Sequence, residues 1–186
     1  MGVQENTINI LKELSENSLK IDNTQADELV SKIIKAKHIF LQGAGRSGLA
    51  IRGFANRLLH LGFSVSMVGE ISSPHSKPGD LVIIGSGSGE TGSLVSLAQK
   101  AVKSGVDVAL ITMKTNSTIG NLAKSTLVLS GTVKDNNQRD ESVFSQPMGS
   151  AFEQLCFITY DAIVLRLMEQ LNETSESMFD RHADFE

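Results

Sequence analysis

Residues 85–91, Gly-Ser-Gly-Ser-Gly-Glu-Thr, bring hydroxyls, glycines and a carboxylate together directly after the apolar run Leu81–Ile84 and before a helix-like segment, Gly92–Ser104. Glycines let a backbone approach an anion closely, and a helix N-terminus presents unpaired N–H groups at the positive end of its dipole. Ser86, Ser88 and Thr91 add hydroxyl donors, and the backbone N–H groups of Gly87, Gly89 and Glu90 complete the set. The loop contains no lysine or arginine. A nucleotide P-loop needs GxxxxGK followed by Ser or Thr, whereas Glu90 stands where positive charge would be wanted. The chemistry that fits is the holding of a monophosphate ester. A plain turn whose glycines only satisfy the backbone would explain one such loop in isolation.

A second glycine loop, Gly-Ala-Gly-Arg-Ser-Gly at 43–48, follows His38–Gln42 and precedes the helical pattern Leu49–Leu61. Here Gly45 and Arg46 stand ready for an anionic or hydroxylated ligand and Ser47 for accessory donation, with a surface salt bridge as the competing role for Arg46. The loop also matches GxGxxG, and Glu70 closes the next predicted strand, Ser64–Val68, where a dinucleotide-binding fold keeps its ribose acid. A nicotinamide-type oxidoreductase is therefore a rival reading. Against it, 186 residues are largely used up by one sheet and its helices, leaving little room for a separate catalytic region.

Glu153 opens the apolar helical segment Ala151–Leu171. A first-turn acid ordinarily answers the helix dipole, but after a long polar stretch it can also serve as a general base facing a ligand. Cys156, the single cysteine, sits in an apolar helical run and reads as a buried small hydrophobe. The histidines, His38, His60, His75 and His182, show no metal-ligand spacing, so no metal site is expected. A lone helical histidine such as His60 is more often a satisfied or solvated residue than a proton carrier.

The elements that must position these residues alternate along the chain. Ile8, Leu11, Leu14 and then Leu29, Ile33, Ile34 mark two amphipathic N-terminal helices, the second with Asn23 or Thr24 as N-cap. Short apolar runs at Ile39–Gln42, Val65–Val68, Leu81–Ile84, Val108–Thr112 and Thr126–Leu129, separated by helix-length spacers, predict five strands of a parallel sheet buried on both faces. The expected class is α/β, a three-layer α/β/α sandwich in one domain over 1–186. It divides into N-terminal helices (1–37), an α/β core (38–130), a lid-like polar loop (131–148) and a C-terminal helix and tail (149–186). Both glycine loops then fall at carboxyl ends of strands, the edge where open α/β sheets bind ligands.

Composition is that of a globular chain, 40% hydrophobic and 20% charged. A net charge of -4 leaves no basic stripe for nucleic acid. The N-terminal stretch mixes charges through its apolar residues and reads neither as a secretory signal nor as a membrane span, so a cytoplasmic location is expected.

Taken together, GAGRSG, GSGSGET, the phrase FANRLLHLGFSVSMVGE at 54–70, QPMGSAFEQ at 146–154 and RHADFE at 181–186 resemble the 6-phospho-3-hexuloisomerases, single-domain members of the sugar isomerase (SIS) domain family. The resemblance spans nearly the whole chain. It implies a flavodoxin-like sheet and interconversion of D-arabino-hex-3-ulose 6-phosphate with fructose 6-phosphate through a 2,3-enediol, the second step of formaldehyde fixation by the ribulose monophosphate route. It implies no cofactor. Glu153 would be the base, Ser47 and the 86–91 loop would hold phosphate, and His60 or His182 would shuttle a proton, donated to a neighbouring subunit's site. Glu90, an acid close to a dianion, would point away or contact sugar hydroxyls. A homo-oligomer, a tetramer, is expected with neither nucleic acid nor membrane as partner; a non-catalytic phosphosugar sensor is the second reading and the oxidoreductase the third.

Overall fold

The structure is a computed structural model that describes residues 2–131, 146–182 and 184. The proposed lid therefore lies almost wholly outside the described residues, as do Ala183, Phe185 and Glu186 of the tail. Five strands, β1 (Ile39–Gly43), β2 (Val65–Met67), β3 (Leu81–Gly85), β4 (Asp107–Thr112) and β5 (Ser125–Val128), pair in parallel in the order β2-β1-β3-β4-β5. That is the flavodoxin-like order, whose direction of winding reverses between β1 and β3. The register sets Gly43 of β1 opposite Gly85 of β3, so the two glycine loops leave the sheet side by side.

Alternation along each strand divides the core into two layers. Ile39, Leu41, Leu81, Ile83, Ala109, Ile111 and Leu127 face a layer built by helices α1 (Val3–Ser18), α2 (Asn23–Lys35), α3 (Gly45–His60) and α6 (Ser150–Leu171). Phe40, Val82, Ile84, Val108 and Leu110 face α4 (Gly92–Lys103) and α5 (Thr118–Leu122) on the other side. A short α7 (Ser175–Phe179) buries Met178 against the first layer. Among the described residues no helix is long and apolar enough to cross a membrane.

Three boundaries differ from the sequence reading. α2 is capped by Asp22, whose carboxylate accepts from the Thr24 amide at 2.8 Å, rather than by Asn23 or Thr24; the acid one position earlier is the group that reaches an orphan N–H. α3 begins at Gly45, so Arg46, Ser47 and Gly48 form its first turn instead of a loop. α5 was not foreseen, because five residues are too few to show a helical period.

Candidate functional site

The two helices that follow the glycine loops and the one that carries Glu153 share a feature at their starts. α3, α4 and α6 start at Ala44, Thr91 and Gly149 with no side chain capping them. α2, α5 and α7 are capped by Asp22, Ser117 and Thr174. Orphan N–H groups and the positive ends of two of these dipoles thus follow the two neighbouring glycine loops, an arrangement suited to an anion.

The 85–91 loop is held in shape from within. The Ser86 amide donates to the Ile111 carbonyl at 2.9 Å, and the Gly89 amide donates to the Ser86 carbonyl and hydroxyl, each at 3.2 Å. The Glu90 amide donates to Ser88 Oγ at 3.2 Å, and Ser86 Oγ lies 3.5 Å from Thr91 Oγ1. Ser86 is buried while Ser88 is exposed, so the first hydroxyl braces the loop and the second faces outward. Since the Gly89 and Glu90 amides already serve the loop's own hydroxyls, their part in an anion site is first to fix its curvature. Gly89 is needed sterically: its φ is +66°, and a Cβ there would stand 2.2 Å from Ser117 Oγ.

Glu90 turns away from the cradle. Its carboxylate accepts from the Thr118 amide at 2.6 Å at the start of α5, and that bond holds its pKa below the ordinary carboxylate value. The Ser117 hydroxyl caps the same helix through Gly120, at 3.1 Å. α5 therefore anchors the loop, a role that was not read from sequence. Its available signal was the Asn116-Ser117-Thr118 capping run.

The first loop packs tightly on itself, since a Cβ on Gly48 would meet the Gly43 carbonyl oxygen at 2.8 Å. This closeness brings Arg46 over the sheet edge. Its Nε donates to Glu153 Oε1 at 2.5 Å, although the two residues are 107 positions apart. The Arg46 side chain is 63% exposed and that of Glu153 11%. Glu153 also adjoins the cradle through its neighbour Phe152, whose ring lies 3.3 Å from where a Gly87 Cβ would be. Gly45, Arg46, Ser47, the 86–91 loop and Glu153 are thus assembled at one edge, at the switch point.

His60 and His182 are elsewhere within the chain. His60 ends α3, and fifteen residues of helical rise place it about 22 Å from the Gly45 end. It is buried, and its ring stacks on that of exposed His182 with centroids 5.1 Å apart. Arg181 fixes the tail there, donating to the His60 carbonyl at 3.0 Å and to both carboxylate oxygens of Glu173 at 3.0 and 2.9 Å. His75 is exposed in the β2–β3 connection. His38 bridges Ser64 and Ser66, and burial lowers its pKa. Glu70, the supposed ribose acid, instead accepts from Arg52 at 3.2 Å. Cys156 is buried, and desolvation pushes its thiol up to about 12, which suits a core residue and not a nucleophile. Among the described residues no cluster of His, Cys, Asp or Glu is arranged to hold a metal ion.

The SIS domain model matches residues 32–144, which include both glycine loops. Over its full length the chain is 45% identical to the whole of a 3-hexulose-6-phosphate isomerase of Bacillus subtilis. It is 32% identical to the enzyme of that name from Mycobacterium gastri, covering 94% of this chain and 86% of the relative. A Methanococcus jannaschii protein, whose crystal structure was taken to infer the function of a 3-hexulose-6-phosphate isomerase, superposes with a TM-score of 0.78 at 33% identity, covering 97% of this chain and 96% of that one. With its parallel sheet, its paired glycine loops at the switch point and relatives matched along the entire sequence, this chain belongs to the SIS domain family.

Proposed function

We propose that this protein is a phosphosugar isomerase that interconverts D-arabino-hex-3-ulose 6-phosphate and fructose 6-phosphate, acting in the cytoplasm as a homotetramer of single-domain chains in the ribulose monophosphate route of formaldehyde assimilation. One observation carries the reading: an uncapped, hydroxyl-lined cradle and a largely buried carboxylate paired to a guanidinium meet at a single strand edge. Relatives bearing the name of this activity match 100% and 94% of the chain.

The chemistry follows from the substrate. Moving a carbonyl from carbon 3 to carbon 2 requires loss of the carbon 2 proton, a 2,3-enediol, and return of a proton to carbon 3, while one proton passes from oxygen 2 to oxygen 3. A single base placed over adjacent carbons can perform both carbon steps, and Glu153 is that base. The amides opening α4, with the Ser88 and Thr91 hydroxyls, hold the phosphate, and the buried Ser86 hydroxyl supports the loop; Ser47 adds a donor at the start of α3. With the oxygen at carbon 6 esterified, the 3-ketose cannot close a five-membered ring through it and enters open-chain. No cofactor enters this reaction. The oxygen-to-oxygen transfer is assigned to the His60–His182 pair of a neighbouring subunit.

Incubating the protein with fructose 6-phosphate and following carbon NMR tests the activity. A new 3-ketose resonance is expected, together with exchange of the carbon 3 proton in deuterated water. Binding without either change would identify a phosphosugar sensor instead.

A further inference from the structure

Arg46 occupies a position with two possible anionic partners. Its guanidinium is tied to Glu153 at 2.5 Å. The β1 and β3 registers place its loop beside the 85–91 cradle, and the contact between Gly87 and Phe152 places Glu153 beside the same cradle. A carboxylate held by a charge-assisted hydrogen bond has one lone pair engaged and is a poorer acceptor for a carbon-bound proton. The arginine end of this pair is mostly exposed, whereas the glutamate sits in a buried helix start.

We propose that Arg46 is a hand-over residue: it restrains Glu153 until a phosphate dianion enters the cradle, then transfers its guanidinium to the phosphate and releases the carboxylate for proton abstraction. A dianion offers more charge and more acceptor oxygens than a carboxylate, and its arrival reverses the preference of a planar donor fork. The base is thereby coupled to occupancy of the cradle. This inference rests on the phosphosugar reading above.

The test is a double-mutant cycle on the binding of inorganic phosphate, measured by calorimetry with wild type, Glu153→Gln, Arg46→Ala and the double variant, each checked for native thermal unfolding. Competition for one guanidinium makes Glu153→Gln bind phosphate roughly two- to fivefold more tightly than wild type. In the Arg46→Ala background the same change then has no effect. Mere removal of a nearby negative charge would tighten binding equally in both backgrounds, which overturns the hand-over, as does an absence of tightening in either. Ser86→Ala and Ser88→Ala are the controls for the cradle. If either weakens phosphate binding while the cycle is flat, the hand-over fails and the cradle stands; if neither affects phosphate binding, both fail.

Discussion

Ser86 and Ser88 divide the work of one loop between a buried hydroxyl and an exposed one. Replacing Ser88 by alanine removes a donor that would meet charge, a contribution of about 1.5–3 kcal/mol. Both hydroxyls also accept from loop amides, Ser86 from Gly89 and Ser88 from Glu90, and because Ser86 is the buried one its replacement reaches further into the loop's shape. Both variants are expected to bind fructose 6-phosphate at least about tenfold more weakly, with Ser86→Ala also lowering the melting temperature. Unchanged affinity in both by calorimetry would remove the phosphate assignment. Glu153→Gln keeps the shape and the helix start but cannot take a proton. It is expected to fold and bind while losing nearly all turnover in the NMR exchange assay. Normal turnover in that variant would leave Glu153 only its ordinary duty to the helix dipole.

Elements were legible in the sequence to the degree that periodicity could express them. Each strand end was found within one residue because each strand is a short apolar run bounded by turn residues. The position of the 85–91 loop between β3 and α4 was legible because its Gly and Ser residues interrupt an apolar run on one side and a helical period on the other. What escaped depended on contacts between distant segments. The five-residue α5 has no period to read, so the Glu90–Thr118 anchor could not be anticipated, and no spacing rule links Arg46 to a carboxylate 107 residues on. The anchor makes Gly89 more demanding than Gly45, although both have positive φ. A Cβ at Gly45 would meet nothing within 4 Å, whereas at Gly89 it would collide with Ser117. Gly45→Ala should therefore cost only the conformational strain, about 1–2 kcal/mol. Gly89→Ala should cost more and weaken phosphate binding, and urea unfolding of the two variants checks the order. The reverse order would mean that α5 does not brace the loop.

At the scale of the whole molecule, apolar side chains remain on the outside of the helical layer containing α3 and α6. Leu49 on α3 and Phe157, Ile158 and Leu165 on α6 are exposed, as are Ile8 and Leu11 on α1. Phe157 lies over Gly53, one turn beyond Leu49 and two beyond Arg46, so this patch begins next to the candidate site. Large apolar side chains exposed on one layer favour association of identical chains. Within one chain the His60–His182 pair is a helix-length from Glu153, so a role for these histidines in the reaction requires that a second subunit bring them to the cradle. Sedimentation at micromolar concentration should then show a homo-oligomer, expected to be a tetramer; a monomer would sink both the assembly and the shared site. Mixing inactive Glu153→Gln chains with inactive His182→Ala or His60→Ala chains separates the two claims. Hybrids in which the residues come from different subunits regain a fraction of wild-type activity, because one interface in the assembly then carries an intact Glu153 opposite an intact histidine. His182 is the better first choice, since it is exposed and can be replaced without opening the core, whereas His60 is buried beneath it. Verified hybrids that stay inactive would show that neither histidine acts across the interface, leaving the oxygen-to-oxygen transfer to groups at the strand edge itself.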